Sequence, residues 1–313
     1  MAERQALDGR VLRGINTVYD VATDAGTLRC LIKGKVLKTG IRSYNPIAPG
    51  DVVTVAPDPA TPGTGMITSL AERRTTLARW NKKGRAPQVL AANADLAVCV
   101  MSTRSPPFRP RFIDRLAAAA EDGGLDVLIL LNKSDLDCAK EDLGRLDDFR
   151  RIGYRVHRCS ASTGAGIRWL ARFLKGRTAV FVGQSGVGKS SVLNALSSGL
   201  GLRVGELSAK HDRGIHTTTN AALFVTEDGL EVIDTPGIRE LELVGIELQD
   251  LAFRFREFAA FAARCAVAAC LHEDEDGCAV RAAVEAGKVH PDRYESYLRV
   301  LDELRESGRF SHG

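Results

Sequence analysis

The pattern of apolar and polar residues is clearest in the middle of the chain. Four uninterrupted apolar runs, over residues 96–101, 127–131, 179–182 and 230–233, alternate with stretches that have a helical period, such as residues 111–121 and 189–196. Short continuous apolar runs are typical of parallel strands that are buried on both faces. We therefore expect residues 95–245 to form a doubly wound α/β sheet with a phosphate-binding loop.

The flanking parts have different patterns. Before about residue 72, short alternating runs over residues 9–12, 27–32 and 51–55 are separated by Gly and Pro. Several short strands in so short a segment favour a small β-barrel; an OB-fold is the natural candidate, and an SH3-like barrel would give the same pattern. Residues 73–94 are predicted to be a basic linker. Residues 246–313 are predicted to form a helical domain with a break near Pro291.

Composition restricts the class of protein. The chain has 313 residues, 44% of them hydrophobic and 26% charged, which is typical of a globular protein. No apolar run approaches the roughly 20 residues that a membrane helix needs. Residues 1–10 are polar and lack the apolar centre of a signal peptide. We expect a cytoplasmic protein, a monomer, with no membrane partner.

Charge is distributed unevenly along the sequence. Residues 1–90 hold 14 Lys and Arg against 7 Asp and Glu, whereas residues 91–313 hold 29 against 32. A basic N-terminal third is typical of a protein with a polyanionic partner, and RNA is the polyanion that fits a cytosolic chain. On charge alone, a solvated basic surface is an equally good interpretation.

A phosphate-binding loop follows the third apolar run. The sequence from Gly183 to Ser190 fits the pattern G-x-x-x-x-G-K-[ST] between a predicted strand and a predicted helix. Glycines let backbone N–H groups surround the phosphates, Lys189 places a charge on the β and γ phosphates, and the Ser190 hydroxyl binds Mg²⁺. The alternative is a chance Gly-rich turn. The predicted phosphate-binding residues are Gly183, Gln184, Ser185, Gly186, Val187, Gly188, Lys189, Ser190 and Ser191.

A guanine-binding motif follows the second apolar run. It consists of Asn132, Lys133, Ser134 and Asp135. The Asp135 carboxylate can accept hydrogen bonds from both guanine N1–H and the exocyclic amine, a donor pair that adenine lacks. Lys133 can lie over the base, and Asn132 can brace the neighbouring loops. Downstream, Ser160 and Ala161 can offer backbone N–H groups to guanine O6. The alternative for the motif is a helix-capping turn.

The fourth apolar run ends in Asp234-Thr235-Pro236-Gly237. Asp234 can hold Mg²⁺ through water, and the Gly237 N–H can reach the γ-phosphate.

The residues between the phosphate loop and Asp234 are expected to form a first switch. Thr217 or Thr218, or the adjacent Thr219, can complete the Mg²⁺ shell. Ile238 occupies the position at which many GTPases carry a water-orienting glutamine, so the catalytic group must come from elsewhere. His216 is the local candidate, and a structural or RNA-facing role is an equally good interpretation of that histidine.

Cysteines cluster near the C-terminus. Cys265, Cys270 and Cys278 fall within 14 residues, and His272 lies among them. Three thiolates and one imidazole make a closed tetrahedral zinc set, which indicates a structural ion. Disulfides are not expected in a cytosolic chain. Buried free cysteines are the alternative interpretation.

The order of these motifs is unusual, because the guanine motif precedes the phosphate loop and the domain therefore reads as circularly permuted. The ordered set N-K-S-D, S-A, G-Q-S-G-V-G-K-S, H-T-T-T, D-T-P-G and C-x₄-C-x-H-x₅-C resembles the ribosome small-subunit-dependent GTPase family, RsgA/YjeQ. Supporting segments over residues 91–95, 112–115, 213–219, 277–280 and 293–297 also match. The resemblance covers nearly the whole chain and is weakest over residues 1–70.

The resemblance implies an N-terminal OB-fold, a permuted GTPase core and a C-terminal zinc domain. It also implies a late assembly factor that binds the small ribosomal subunit and its rRNA, and whose slow GTP hydrolysis is stimulated by that subunit and drives release. The alternative function is a GTP-gated RNA-binding switch whose hydrolysis is incidental. A GTPase of tRNA metabolism or membrane traffic is disfavoured by the Cys/His cluster.

Overall fold

The computed structural model describes residues 6–15, 17–32, 43–197 and 221–308. Its N-terminal part is a closed five-stranded barrel with strands β1 (Leu7–Ile15), β2 (Val18–Thr23), β3 (Gly26–Ile32), β4 (Val52–Pro57) and β5 (Thr64–Leu70). The strands pair in the order β1-β2-β3-β5-β4, and the pairing of β1 with β4 closes the barrel. The β3–β5 pair is parallel and the others are antiparallel.

Side chains from one face of each strand fill the barrel. The buried interior includes Val11, Val21, Cys30, Val55 and Ile67. These residues come from every second position of their strands, as expected when one face of a sheet is buried and the other faces solvent. The predicted OB-fold is confirmed.

A β-hairpin occupies the segment that the sequence analysis treats as a basic linker. Strands β6 (Thr76–Asn81) and β7 (Ala86–Ala92) pair with each other in a separate two-stranded sheet. The hairpin contacts the neighbouring helix closely, because the Thr76 N–H donates to the carbonyl of Gly123 at 3.0 Å.

The central sheet contains the four predicted strands. They are β8 (Leu96–Ser102), β9 (Asp126–Asn132), β11 (Thr178–Gly183) and β13 (Glu231–Asp234), joined by β10 (Arg155–Arg158) and β12 (Ala222–Val225). The order is β10-β9-β8-β11-β13-β12, with β12 antiparallel and all other pairs parallel. β12 also pairs with β1 at Arg13 and Ala222, so one sheet runs continuously into the barrel.

Helices cover both faces of this sheet. Helices α1 (Pro110–Asp122) and α2 (Lys140–Arg151) share one buried cluster with alternate strand residues such as Cys99 and Ile129. Helices α3 (Ile167–Leu174) and α4 (Lys189–Leu196) share the other cluster with the intervening residues, such as Val98 and Leu128. Because strand side chains alternate between faces, continuous apolar runs supply both clusters. The predicted doubly wound arrangement is confirmed.

The C-terminal part is helical. A 3₁₀ helix (Leu248–Arg254) is followed by α5 (Arg256–Ala262), α6 (Ala279–Glu285) and α7 (Pro291–Ser307). The predicted break at Pro291 is the start of α7, where proline is tolerated because the first turn needs no N–H donor. Phe255, Phe258 and Tyr297 belong to the same buried cluster as α1. Among the residues described, no helix is both long and apolar enough to cross a membrane.

Candidate nucleotide site and candidate metal centre

The predicted phosphate loop joins the buried strand β11 to helix α4. Gly186 and Gly188 have positive φ values of 86° and 87°, a backbone conformation that glycine adopts without strain. A Cβ atom at Gly188 would lie 2.3 Å from Asn132 Nδ2. Glycine is therefore needed at position 188 both for the turn and for close approach of the guanine motif.

Asn132 connects three loops of the site. Its side chain is buried, its Nδ2 donates to the carbonyl of Val187 at 3.0 Å, and its Oδ1 accepts from the Ala161 N–H at 3.1 Å. The phosphate loop, the guanine motif and the 160–161 loop thus meet at one amide group. A buried amide satisfied on both sides holds its neighbours in one arrangement.

Lys133 lies along the same junction. Its φ is 59°, and its Nζ donates to the carbonyls of Ser105 and, at 2.8 Å, Gly186. Burial lowers the pKa of Lys133, and the nearby Asp135 carboxylate opposes this effect. The ammonium group therefore lies between the guanine motif and the phosphate loop.

Asp135 is exposed and is held by neighbouring hydroxyl groups. The Ser160 hydroxyl makes the largest contribution to lowering the pKa of this carboxyl. The backbone N–H of Asp135 and the Ser162 hydroxyl lower it further. The group is thus an anionic acceptor at neutral pH. Ser134 contributes its backbone N–H, which donates to the carbonyl of Cys159 at 3.0 Å.

The 160–161 loop differs in detail from the expectation. The Ser160 N–H donates to Ala165 at 2.9 Å, and the Ala161 N–H donates to Asn132. Both groups that were expected to face guanine O6 are engaged within the protein. What sequence reasoning missed is the Ser160 side chain, whose hydroxyl lowers the pKa of Asp135.

Lys189 and Asp234 form a buried ion pair. Lys189 Nζ lies 2.6 Å from Asp234 Oδ1, and both side chains are less than a tenth exposed. Burial raises the pKa of Asp234, and Lys189 and the Thr235 N–H offset this only in part. The lysine and the carboxylate that were predicted to bind phosphate and Mg²⁺ thus neutralise each other here.

The residues around Asp234 pack against the phosphate loop. The Ile238 N–H donates to the carbonyl of Gly183 at 3.0 Å, and a Cβ atom at Gly237 would lie 3.0 Å from the Ser185 nitrogen. The Ile238 side chain is buried in the core cluster. Gln184 is also buried and faces away from the loop, towards the carbonyl of Arg239 at 3.4 Å.

The remaining predicted nucleotide residues fall into two groups. Ser190 and Ser191 lie in the first turn of α4, half-buried. The predicted switch residues His216, Thr217, Thr218 and Thr219 lie outside the residues that the structure describes.

The predicted metal ligands lie together in the C-terminal part. The ligand atoms of Cys265, Cys270, His272 and Cys278 all lie within 4.8 Å of one another. His272 Nδ1 is 3.5 Å from both Cys265 Sγ and Cys278 Sγ. Around a tetrahedral zinc ion, nitrogen and sulfur ligands lie about 3.5 Å apart. The four side chains can therefore hold a metal ion, and Nδ1 is the imidazole ligand atom.

Glu275 organises the loop that carries these ligands, a role that the sequence analysis did not foresee. Its carboxylate accepts from the backbone N–H groups of Leu271 and Glu273 at 2.6 and 2.8 Å. The Tyr294 and Tyr297 hydroxyls donate to the carbonyls of His272 and Leu271 at 2.6 and 2.8 Å. Glu275 thus binds the backbone of the loop on both sides of His272.

A buried ionic cluster joins the C-terminal part to the central domain. Arg293 on α7 binds Asp114 on α1 at 2.7 Å and the carboxylate of Glu257 on α5. The side chains of Arg293 and Asp114 are at most 1% exposed. Burial alone would lower the pKa of Arg293, but the Glu257 and Asp114 carboxylates have a larger opposite effect. The pKa is therefore raised, and the guanidinium group stays charged. Both residues fall in segments that the sequence analysis noted without assigning them a role.

Known proteins resemble the chain over almost its full length. The family model described as RsgA GTPase matches residues 70–244. A relative from Chlorobaculum parvum, named "Small ribosomal subunit biogenesis GTPase RsgA", is 40% identical and the match covers 96% of this chain and 99% of the relative. A relative of the same name from Bacteroides fragilis is 37% identical, with coverage of 97% and 99%.

Solved structures agree with this result. YjeQ from Thermotoga maritima superposes with a TM-score of 0.73 at 31% identity, covering 96% of this chain and 99% of that protein. YloQ, described as a circularly permuted GTPase, gives a TM-score of 0.68 at 25% identity, with 97% coverage of each chain. With its motif order, fold and Cys/His cluster, the chain belongs to the RsgA GTPase family.

Proposed function

We propose that the protein is a GTP hydrolase that acts as a late maturation factor of the small ribosomal subunit. Binding to the subunit stimulates hydrolysis, and hydrolysis drives release. The observation that carries the proposal is the Asn132 amide of the guanine motif, which binds the 160–161 loop at Ala161 and the phosphate loop at Val187. The names of the relatives, which refer to small-subunit biogenesis and to GTPase activity, support the ribosomal part.

Each side of the nucleotide has its own set of residues. On the base side, Asp135 accepts from guanine N1–H and the amine, Lys133 covers the base, and Ser160 and Ala161 shape the O6 side. On the phosphate side, the backbone of residues 183–190 surrounds the phosphates, and the N-terminus of α4 adds a favourable dipole.

Loading of Mg²⁺ and GTP requires the Lys189–Asp234 pair to separate. Lys189 would bind the β and γ phosphates, and Asp234, through water, would hold Mg²⁺ together with Ser190 and Thr217 or Thr218. Mg²⁺ bound there would supply positive charge to the phosphates and to Asp234. Lys189 and Asp234 are both buried, so each charge needs a partner of opposite sign.

Hydrolysis needs a group that orients the attacking water. Ile238 cannot serve, because its side chain is apolar and buried in the core. We assign this role to His216, or to a group supplied by the ribosomal subunit.

The Cys265, Cys270, His272 and Cys278 side chains are proposed to hold one structural zinc ion. Zinc bound there would cross-link a loop and would leave no position open for a substrate. Burial raises the pKa of the Cys270 thiol to about 12. The metal must therefore displace a proton from this thiol, so its affinity should weaken at low pH.

We also propose boundaries between the domains. Residues 1–72 form the RNA-binding barrel, residues 95–245 the GTPase domain and residues 246–313 the zinc domain, with residues 73–94 as the connection. The protein acts as a cytoplasmic monomer on the small subunit and its rRNA.

The deciding experiment measures GTP turnover with and without purified small subunits, with Lys189→Ala as the blank. A large stimulation that disappears in the variant is expected. Slow turnover that subunits leave unchanged would contradict the proposal. That result would favour the second candidate, a GTP-gated RNA-binding switch. The observation in favour of this candidate is the buried Ile238, which cannot orient the attacking water.

A further inference from the structure

Positive charge is concentrated in a segment whose cations have no role in the proposed function. Residues 152–177 contain six Lys and Arg and no Asp or Glu, whereas the rest of the chain holds 37 against 39. This segment alone therefore gives the protein its net positive charge. It includes β10, α3 and the turn that follows α3.

The segment lies at the end of the sheet opposite the barrel. β10 is the outermost strand, and six strand spacings separate it from β1. At about 4.8 Å per spacing, that distance is roughly 29 Å. We call the exposed sides of β10, α3 and the turn to Arg177 the β10–α3 surface.

Its cations are exposed and lack anionic neighbours. Arg155, Arg168, Arg172, Lys175 and Arg177 are exposed, and within the described ranges none has an ion-pair partner. By contrast, α2 next to it contains four cations and four carboxylates. Arg168 and Arg172 are one turn apart on α3, so they project from the same side of the helix.

Aromatic rings fix part of this surface. His157 stacks on Trp169 at 3.9 Å between centroids, and Trp169 stacks on Phe173 at 4.9 Å. The guanidinium groups of Arg155 and Arg177 lie 5.0 and 4.5 Å from the Phe173 centroid. Cation–π contacts thus hold both guanidinium groups against one ring. Their charges are screened only by solvent and salt, and they are available to an anion.

We propose that the β10–α3 surface binds the phosphate backbone of RNA. Arginine matches phosphate through paired N–H donors, and a cluster of unpaired arginines gains most from a polyanion. The identity of the RNA as rRNA of the small subunit rests on the proposed function. The surface would then give the protein a second grip on the subunit, roughly 29 Å from the barrel.

The test compares two double variants in subunit binding over a range of salt concentrations. Arg168→Gln/Arg172→Gln removes two unpaired charges from α3. Lys140→Gln/Arg150→Gln removes the same charge from the balanced helix α2 and serves as the matched control. Each lost phosphate contact should flatten the plot of log K against log [salt] by about 0.7–0.9. We expect the α3 variant to lower the slope by about 1.5 and the affinity about fivefold to tenfold at moderate salt, and the control to change neither.

Three further readouts separate the possible outcomes. Arg168→Lys/Arg172→Lys keeps the charge and should restore the slope, and unstimulated GTP turnover should be unchanged in all variants. If the α3 variant matches the control while wild type binds subunits, the inference is wrong and the proposed function stands. If wild type itself fails to bind subunits, the proposed function fails. A short RNA duplex distinguishes the partner: unchanged duplex binding with lost subunit binding would overturn the RNA assignment in favour of an acidic protein.

Discussion

At the scale of single residues, the exposed carboxylate of Asp135 should decide which base is bound. In Asp135→Asn, an amide NH₂ group replaces one acceptor oxygen. This donor would face the guanine amine, which is also a donor, so the two could not form a hydrogen bond. We expect GTP affinity to fall about 10²–10³-fold, because a donor left unpaired in a base pocket costs several kcal/mol. Xanthosine triphosphate carries a carbonyl in place of that amine and should bind the variant better than wild type. Calorimetric titration with both nucleotides measures the change.

The matched control for this substitution is Asp137→Asn, which neutralises an exposed carboxylate two residues further along. It should leave the preference for GTP unchanged. An Asp135→Asn protein that still prefers GTP over the xanthine nucleotide would show that another residue reads the base.

Sequence reasoning at this scale predicts contacts with ligands better than contacts between side chains. The motif predicts that Asn132 braces the neighbouring loops, and its amide contacts both of them. No motif predicts that Lys189 binds Asp234 at 2.6 Å. Motifs record what a residue does with phosphate and Mg²⁺, whereas the contact between these two side chains follows from their opposite charges and shared burial.

At the scale of elements, α7 is attached to the central domain by the Arg293–Asp114 pair. Removing Arg293 leaves the buried carboxylates of Asp114 and Glu257 without compensation, and breaking a buried ion pair in this way costs about 3–5 kcal/mol. Arg293→Met should therefore lower Tm by about 5–15 °C. The double variant Arg293→Met/Asp114→Leu should be less destabilised than Arg293→Met alone. Thermal unfolding of both variants measures this.

Arg299→Met is the control on the same helix. Arg299 pairs with Glu295, but both side chains are about half exposed, so the pair contributes under about 1 kcal/mol. If Arg293→Met and Arg299→Met unfold at the same temperature, the buried pair does not stabilise the contact between α7 and α1.

The Cys/His loop is the second element that can be tested by removal of a ligand. The purified protein should contain one zinc ion per chain, and Cys270→Ser should lose it, because a tetrahedral site with three ligands binds far more weakly. Residues 263–290 should then become sensitive to protease while the central sheet stays resistant. Metal analysis and limited proteolysis measure the two effects. Cys138→Ser, a half-buried cysteine outside the cluster, should keep the ion.

Prediction of elements succeeds where burial makes the pattern simple. The central strands are continuous apolar runs because they are covered on both faces, and the predicted and observed strands agree. The β6–β7 hairpin was missed because its exposed residues are basic and its twofold alternation is weak. Arg293 and Asp114 are polar in sequence and fully buried in the fold, so only their pairing across 179 positions explains them.

At the scale of the whole molecule, the segment after Asp234, residues 235–246, contacts other parts of the protein. The backbone carbonyl of Glu242 accepts from the Trp80 N–H of the hairpin at 2.9 Å, and Lys82 of the hairpin pairs with Glu240 at 2.8 Å. β12 joins the sheet to β1 of the barrel at Arg13 and Ala222. Movement of Gly237 towards or away from the γ-phosphate would therefore shift residues that contact the hairpin. Such a shift would also reach the surfaces that we propose to bind RNA.

This connection predicts that the affinity for small subunits depends on the bound nucleotide. A ligand shifts an equilibrium only by its differential affinity for the two states, and allosteric couplings are typically 1–3 kcal/mol. We expect the form with a non-hydrolysable GTP analogue to bind subunits about 5- to 150-fold more tightly than the GDP form. Lys189→Ala should lose the difference, because the γ-phosphate no longer has its cation. Equal affinities of the two wild-type forms would mean that hydrolysis does not drive release.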